Sequence, residues 1–275
     1  MSSPLESLPF GLSDGIAEMD KEFVSAIARA MTVLEAFDAD RPEMTLSELA
    51  DLTGITPATV RRCLHTLSVT GHIRQSGRRF RLGPRVLTLA QGYAAANRIE
   101  DLVARELRLL VESFDDPSSV AVLDGLQVAY IATIARPSAL RPSARVGTRY
   151  PAHATALGKV LLAYASPQTQ ADFLRTPLLD APTDRTIRDP AALAQALARV
   201  AAQGYAVSID ELDYGVASIA VPILDATGRC VAAINSSGYS GRQSEASLVA
   251  DRLAVLRDCA RAISAKLADT PQALR

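Results

Sequence analysis

Between Thr45 and Leu82 the chain reads TLSELADLTGITPATVRRCLHTL and then, from Gly71, GHIRQSGRRFRL, an order of signals that few folds accommodate. Thr45 and Glu48 have the spacing of a capping box, in which each side chain satisfies a backbone N–H left free by the first helical turn, and Met44 and Leu49 fall at the two positions of a hydrophobic staple. Gly54 ends that helix, since glycine enters the left-handed conformation without steric cost. Thr56 and Pro57 start the next helix as N-cap and first helical residue. Two short helices therefore meet at a sharp corner.

At about 100° per residue, the second helix turns Val60, Cys63, Leu64 and Leu67 to one side and Ala58, Arg62 and His65 to the other, with Thr59, Arg61 and Thr66 on the flanks. Gly71 closes it, and a hairpin with its tip at Gln75-Ser76-Gly77-Arg78 follows. Ile73, Phe80 and Leu82 are expected to tuck inward from that hairpin, and Arg74, Arg79 and Arg81 to project outward. This is the outline of a winged helix-turn-helix. A small, polar outward face with an arginine one turn on suits the major groove, where a guanidinium makes two bonds to one guanine edge. The residues expected to meet double-stranded DNA are Thr45, Thr56, Ala58, Thr59, Arg61, Arg62, His65, Arg74, Arg78, Arg79 and Arg81.

Charge separates this reading from its plainer alternative, a helical hairpin with a solvated basic face. From Gly54 to Arg98 there are eight arginines and no Asp or Glu, so the 29 basic residues of the chain leave 21 for the rest against 30 acidic ones. A net charge of −1 thus hides a basic module on an acidic body, and nucleic acid is the natural partner of such a module.

A length of 275 residues with 48% apolar side chains suits two modest domains. Without a run of 18 apolar residues or a signal-peptide pattern at the start, a cytoplasmic protein with no membrane partner is expected. Cys63, Cys230 and Cys259, with His65, His72 and His153, make neither a disulfide framework nor a metal-ligand spacing. No metal and no cofactor is expected.

Along the chain, residues 1–22 read as a mobile arm and 23–83 as the DNA-binding domain. Its first helix starts at Ser25, with Ile27, Met31, Leu34 and Phe37 as the inward stripe. Residues 84–98 form a linker helix whose Val86, Leu87, Leu89, Ala90 and Tyr93 cover more than one face. That suits helix-to-helix contact in a homodimer, the alternative being docking on its own domain. Residues 99–270 are mixed. A helix from Ile99 to Phe114 precedes strands at Ser119–Leu123 and Gln127–Ala132, joined by the turn Asp124-Gly125. A strand at Arg145–Tyr150 and a helix at Ala152–Ala165 come next, then further helices after Pro167 and from Pro190 to Gln203. Strands at Tyr205–Ile209, Ser218–Leu224 and Cys230–Ser236 precede a last helix from Ser244 to Leu267. Adjacent hairpins interleaved with helices give an α+β domain built on an antiparallel sheet.

Polar residues on otherwise apolar strands mark a ligand site in that domain. Asn235 and Ser237 share a face of their strand, Ser218 opens SIAVPI and Ser208 closes GYAVS. With the turn formed by Tyr150, Ala156 and Leu157, these line a mostly apolar pocket; the alternative is that Asn235 and Ser237 end a strand and bond the next turn.

From Val24 to Leu267 the chain resembles the IclR family of transcriptional regulators. The resemblance is carried by ATVRRCLHTL followed by GHI, by RVGTRYPAHATALGKVLLA, and by GYAVSIDELDYGVASIAVPILDATGRCVAAINSSG. The middle stretch resembles the branch controlling breakdown of protocatechuate, 4-hydroxybenzoate and related aromatic acids. The family implies a winged helix-turn-helix, a linker helix and a GAF-like C-terminal domain that binds a small organic acid effector, and its motifs point to the same strand positions as the effector site. The broad apolar surface of the linker helix is what points to a homodimer, with a dimer of dimers left open. Ala217 stands where the family often has arginine, and Ser208 where some members carry an acid. An anionic effector would then draw its counter-charge from Arg141, Arg145 or Arg149. The alternative function is an enzyme or small-molecule-binding protein tethered by the N-terminal module. No catalytic constellation supports it, and His153 is expected to pack or cap rather than catalyse.

Overall fold

A computed structural model describes residues 22–38, 40–136, 144–176 and 179–268; Arg141 and most of the expected arm lie outside these. The chain divides into two compact units, one ending at Tyr93 and the other beginning at Ala94.

The first unit contains α1 (Ser25–Glu35), β1 (Met44–Thr45), α2 (Leu46–Thr53), α3 (Pro57–Val69), β2 (Ile73–Ser76) and β3 (Arg79–Leu82), and α4 (Val86–Ala96) runs across the division. The capping box of α2 is formed: the Glu48 amide donates to Thr45 Oγ1 at 3.3 Å and the Thr45 amide to Glu48 Oε2 at 2.6 Å. Gly54 closes α2 with φ of 69°, a value that a side chain would resist. Pro57 opens α3, but the hydroxyl of Thr56 donates to Thr59 Oγ1 at 3.0 Å and not to or from the helix backbone. Val33, Leu49, Val60, Leu64 and Ile73 fill the core.

Three expected inward positions differ. Ile27 and Met31 lie on the surface while Val33 and Phe37 are buried, because the stripe of α1 that meets the core is rotated to Ala30, Val33, Leu34 and Phe37. Leu82, at the end of β3, is also exposed. The three strands pair antiparallel in the order β1-β3-β2, and Gln75 and Phe80 face each other across the hairpin. No residue of α4 is buried.

The second unit runs α5 (Ile99–Phe114), β4 (Ser118–Asp124), β5 (Gln127–Ile134), β6 (Arg149–Pro151), α6 (Ala156–Ala163), α7 (Pro167–Leu174), α8 (Pro190–Gln203), β7 (Ala206–Ile209), β8 (Val216–Leu224), β9 (Cys230–Tyr239) and α9 (Glu245–Ala268). Its strands form one antiparallel sheet in the order β6-β5-β4-β9-β8-β7. Alternation along each strand separates two cores. Val120, Ile219, Val221, Ile223 and Ile234 point toward α5 and α9. Ala121, Ala220 and Ala233 point toward α6 and α8, and their small size lets α6 lie close on the sheet, so that all eight of its residues are buried.

Around that helix the local chemistry shortens the expected elements. Residues 145–148 turn, with Gly147 at φ of 87° and the Arg145 amide donating to Thr148 Oγ1 at 2.9 Å, which leaves β6 only three residues. Thr155 leaves the helical conformation to cap α6, accepting from the Gly158 amide at 2.9 Å. Ala152–Ala154 is therefore a separate 3₁₀ turn. In contrast, β9 extends beyond Ser236 to Tyr239, so Asn235 and Ser237 lie inside the strand and do not end it.

Candidate functional site

In the first unit α3 presents Ala58, Arg61, Arg62 and His65 to solvent, with Val60, Cys63, Leu64 and Leu67 buried on its reverse. A recess of about 720 Å³ opens beside it, lined by Thr45, Leu46 and Ser47 at the start of α2, by Arg61, His65 and Ser68 of α3, and by Gln75, Gly77 and Arg78 of the hairpin. Ser47, Ser68 and Gln75 were not among the expected residues; of these Gln75, in the hairpin tip, was within reach of the sequence pattern.

The arginines are not equivalent. Arg79 donates to the Glu43 carbonyl at 3.2 Å and lies 4.0 Å from the Glu48 carboxylate. Arg81 lies 3.8 Å from Glu43. Both side chains are half-exposed and project outward as expected, and each also lies against an acidic residue of its own domain. Arg61, Arg62, Arg74 and Arg78 have no carboxylate in ion-pair range among the described residues. The hydroxyl of Thr45 is committed to its cap.

In the second unit the sheet brings three of the four expected polar residues into one cluster. Ser218 on β8 faces Ser237 on β9, and Asn235 lies two residues before Ser237. Asn235 Nδ2 donates to Ser218 Oγ and to Ser237 Oγ, each at 2.9 Å, and Ser237 Oγ donates to Ser218 Oγ at 3.0 Å. Asn235 Oδ1 accepts from the Ser119 amide on β4 at 2.9 Å, and Ser119 Oγ meets Thr133 Oγ1 on β5 at 3.1 Å. A hydroxyl has one proton and two lone pairs. Both lone pairs of Ser218 are occupied, so its proton is left without an acceptor among the described residues. Ser208 faces Ser218 across β7 and β8, but its hydroxyl donates to the Ala154 carbonyl at 3.1 Å. It ties β7 to the turn before α6 and offers no donor to a ligand.

Ala156 and Leu157 are buried in the same apolar cluster, with Tyr150 partly buried against it. Tyr150 stands edge-on to Tyr130, ring centroids 5.5 Å apart at 90°. Neither Ser119 nor Tyr130 was singled out from the sequence. Ser119 sits 116 positions from its partner Asn235, and only the pairing of β4 with β9 joins them.

Among the expected counter-charges, Arg149 is already neutralised, donating to Asp124 Oδ2 and to Gln127 Oε1 at 3.1 Å, while Arg145 is exposed. A cation that was not anticipated lies in α6. Lys159 is buried, pairs with the buried Glu211 and donates to the Val207 carbonyl at 3.4 Å. Burial lowers the Lys159 ammonium and raises the Glu211 carboxyl, each opposed by the partner's charge. The loop carrying Glu211 is held tightly: Asp210 adopts φ of 58°, and the hydroxyls of Thr183 and Thr186 donate to the carbonyls of Asp210 and Glu211, each at 2.6 Å.

A winged helix-turn-helix joined to an α+β domain with a buried polar cluster defines a DNA-binding regulator with a ligand-sensing module. Residues 26–77 match the IclR helix-turn-helix domain and residues 91–265 the family described as bacterial transcriptional regulator IclR C-terminal. The chain belongs to the IclR family of transcriptional regulators. It is 35% identical to the Pca regulon regulatory protein of Pseudomonas putida, over 88% of this chain and 84% of that one. It is 31% identical to the p-hydroxybenzoate hydroxylase transcriptional activator of Acinetobacter baylyi, over 87% and 90%. Among solved structures, an IclR homologue from Microbacterium hydrocarbonoxydans in complex with 4-hydroxybenzoate superposes with a TM-score of 0.74 at 27% identity, covering 88% of this chain and 98% of that one.

Proposed function

We propose that this regulator binds its operator as a homodimer, or a dimer of dimers, through α3 and the hairpin, and senses a small aromatic carboxylic acid in its second unit to control a catabolic operon. The observation that carries the ligand reading is the Ser218–Asn235–Ser237 cluster, whose one unassigned proton belongs to a buried serine. An ionised carboxylate is an acceptor only, and O–H···O⁻ bonds are stronger than neutral ones. The relatives named for an aromatic acid supply the class. On the DNA side, Ala58 and Arg62 read base edges, and Arg61, Arg74 and Arg78 meet phosphates, with Thr56, Thr59 and His65 flanking them and Arg79 and Arg81 in supporting positions.

Regulation is favoured over catalysis by the state of the reactive groups. His153 is buried with Nε2 on the Asp180 carbonyl at 2.7 Å. Burial pushes the Cys230 thiol up to about 12 and the Cys259 thiol up to about 11, so neither is a ready nucleophile. No helix among the described residues is long and apolar enough to cross a membrane, and a regulator of this kind acts where the DNA is, in the cytoplasm. The test is a thermal-shift screen of the full chain with aromatic and aliphatic acids. An acid at a hundredfold its dissociation constant stabilises by about 2.7 kcal/mol. A raised midpoint with benzoate-type acids, lost in Ser218→Ala, is expected; a response that Ser218→Ala leaves unchanged would place the ligand elsewhere.

A further inference from the structure

Tyr130 is the residue of the ligand domain whose chemistry is least accounted for. It is 6% exposed and its hydroxyl makes no hydrogen bond among the described residues, yet it is not one of the fully enclosed polar atoms left without a partner, so the O–H opens onto accessible space. Once a ligand shuts it in, it needs a partner, as buried tyrosine hydroxyls ordinarily do. The side chain lies on the same face of the sheet as the polar cluster. Ser119 pairs with Asn235 on one side and Thr133 on the other, and Ala121, the next residue of that face, pairs with Ala233 and with Tyr130. Tyr130 thus stands two strands across and one same-face step along from Asn235, roughly 12 Å between α-carbons at ordinary strand spacings. The reach of a tyrosine and the width of one aromatic ring together fill that span. Tyr150, edge-on at 5.5 Å, fixes the ring plane, and burial raises the phenol above its usual value, so the group is a neutral hydroxyl that both donates and accepts.

We propose that Tyr130 is a specificity-determining residue that reads a second polar group, a ring hydroxyl, on the side of the effector remote from its carboxylate. This rests on the acid-effector reading above and narrows it to hydroxylated aromatic acids. Ser218 then holds the carboxylate and Tyr130 the hydroxyl, and an acid lacking the hydroxyl leaves the Tyr130 O–H buried and unpaired.

The experiment measures dissociation constants of benzoate, 3-hydroxybenzoate and 4-hydroxybenzoate by calorimetry on the full-length protein, as wild type, Tyr130→Phe and Ser218→Ala, with melting temperatures recorded for each. Wild type is expected to prefer one hydroxybenzoate over benzoate by about tenfold, the worth of one good hydrogen bond. Tyr130→Phe should abolish that preference by weakening the hydroxybenzoate and binding benzoate no less tightly than wild type does, since the unpaired O–H is gone, with the melting temperature near wild type. Ser218→Ala should weaken all three acids alike. If Ser218→Ala weakens every acid but Tyr130→Phe keeps the hydroxyl preference, the role of Tyr130 is wrong and the acid site stands. Wild type that binds none of the three overturns the acid-effector reading, and the role of Tyr130 with it.

Discussion

Thr45 spends its hydroxyl on the Glu48 amide and has its own amide satisfied by the Glu48 carboxylate, so it serves the start of α2 before it serves any partner. Thr45→Ala should cost about 1 kcal/mol of stability in chemical denaturation, the usual worth of an N-cap. Arginines divide by the same logic. Arg62 stands exposed on α3 with no carboxylate in range among the described residues, and its replacement by alanine should cost roughly 1–3 kcal/mol of specific affinity and relax base preference at one position of each half-site. Arg78→Ala should weaken binding on all duplexes alike and flatten the salt dependence. Competition between operator and random DNA separates the two; equal losses on both for Arg62→Ala would remove its base-reading role. The capping box, the glycine turn and the faces of α3 were legible because each depends on residues within a few positions. That Arg79 is drawn back to Glu43, or Arg149 to Asp124, was not, since those pairings arise only when separate segments are folded together.

Among the elements, α6 and α4 are opposites. Every residue of α6 is buried, including Lys159, whose charge is matched by Glu211. Removing one partner of such a pair leaves an uncompensated buried charge, so Lys159→Met should destabilise by about 3–5 kcal/mol, whereas Lys159→Met combined with Glu211→Leu should recover most of that loss. Urea denaturation of the two variants checks this, and equal destabilisation would mean that the ion pair is not the relevant interaction. Nothing in the sequence pattern shows that sheet and helices enclose α6 from all sides, because a lysine ordinarily marks a solvated face. In α4, Leu87 is 66% and Leu89 59% exposed, and the proposed homodimer would cover them. Leu87→Asp should shift the protein toward monomer in sedimentation; an unchanged mass would place the dimer contact elsewhere.

At the scale of the whole molecule, the two units have separate cores, and the switch depends on what joins them. Arg98, in a left-handed conformation at φ of 47°, interrupts the helical path between α4 and α5. The α+β plan and the order of domains were legible from periodicity and turn signals. The cross-strand assembly of Ser119, Asn235, Ser218 and Ser237 was legible only in part, since alternation gives the face of a residue but not its neighbour on another strand. An acid held by that cluster alters DNA affinity only if it binds one arrangement of the dimer more tightly than another. In the proposed dimer, half-sites one helical turn apart, about 34 Å, would make DNA binding sensitive to small changes in the spacing of the two α3 helices.

The central claim, that one chain couples an acid to an operator, is tested most directly by titrating DNA from its own upstream region with full-length protein, with and without a saturating hydroxybenzoate. A change of about 5- to 150-fold in operator affinity is predicted, corresponding to a coupling of about 1–3 kcal/mol, and Ser218→Ala should abolish the change while keeping effector-free DNA binding. Identical operator affinity with and without an acid shown by calorimetry to be bound would contradict the account.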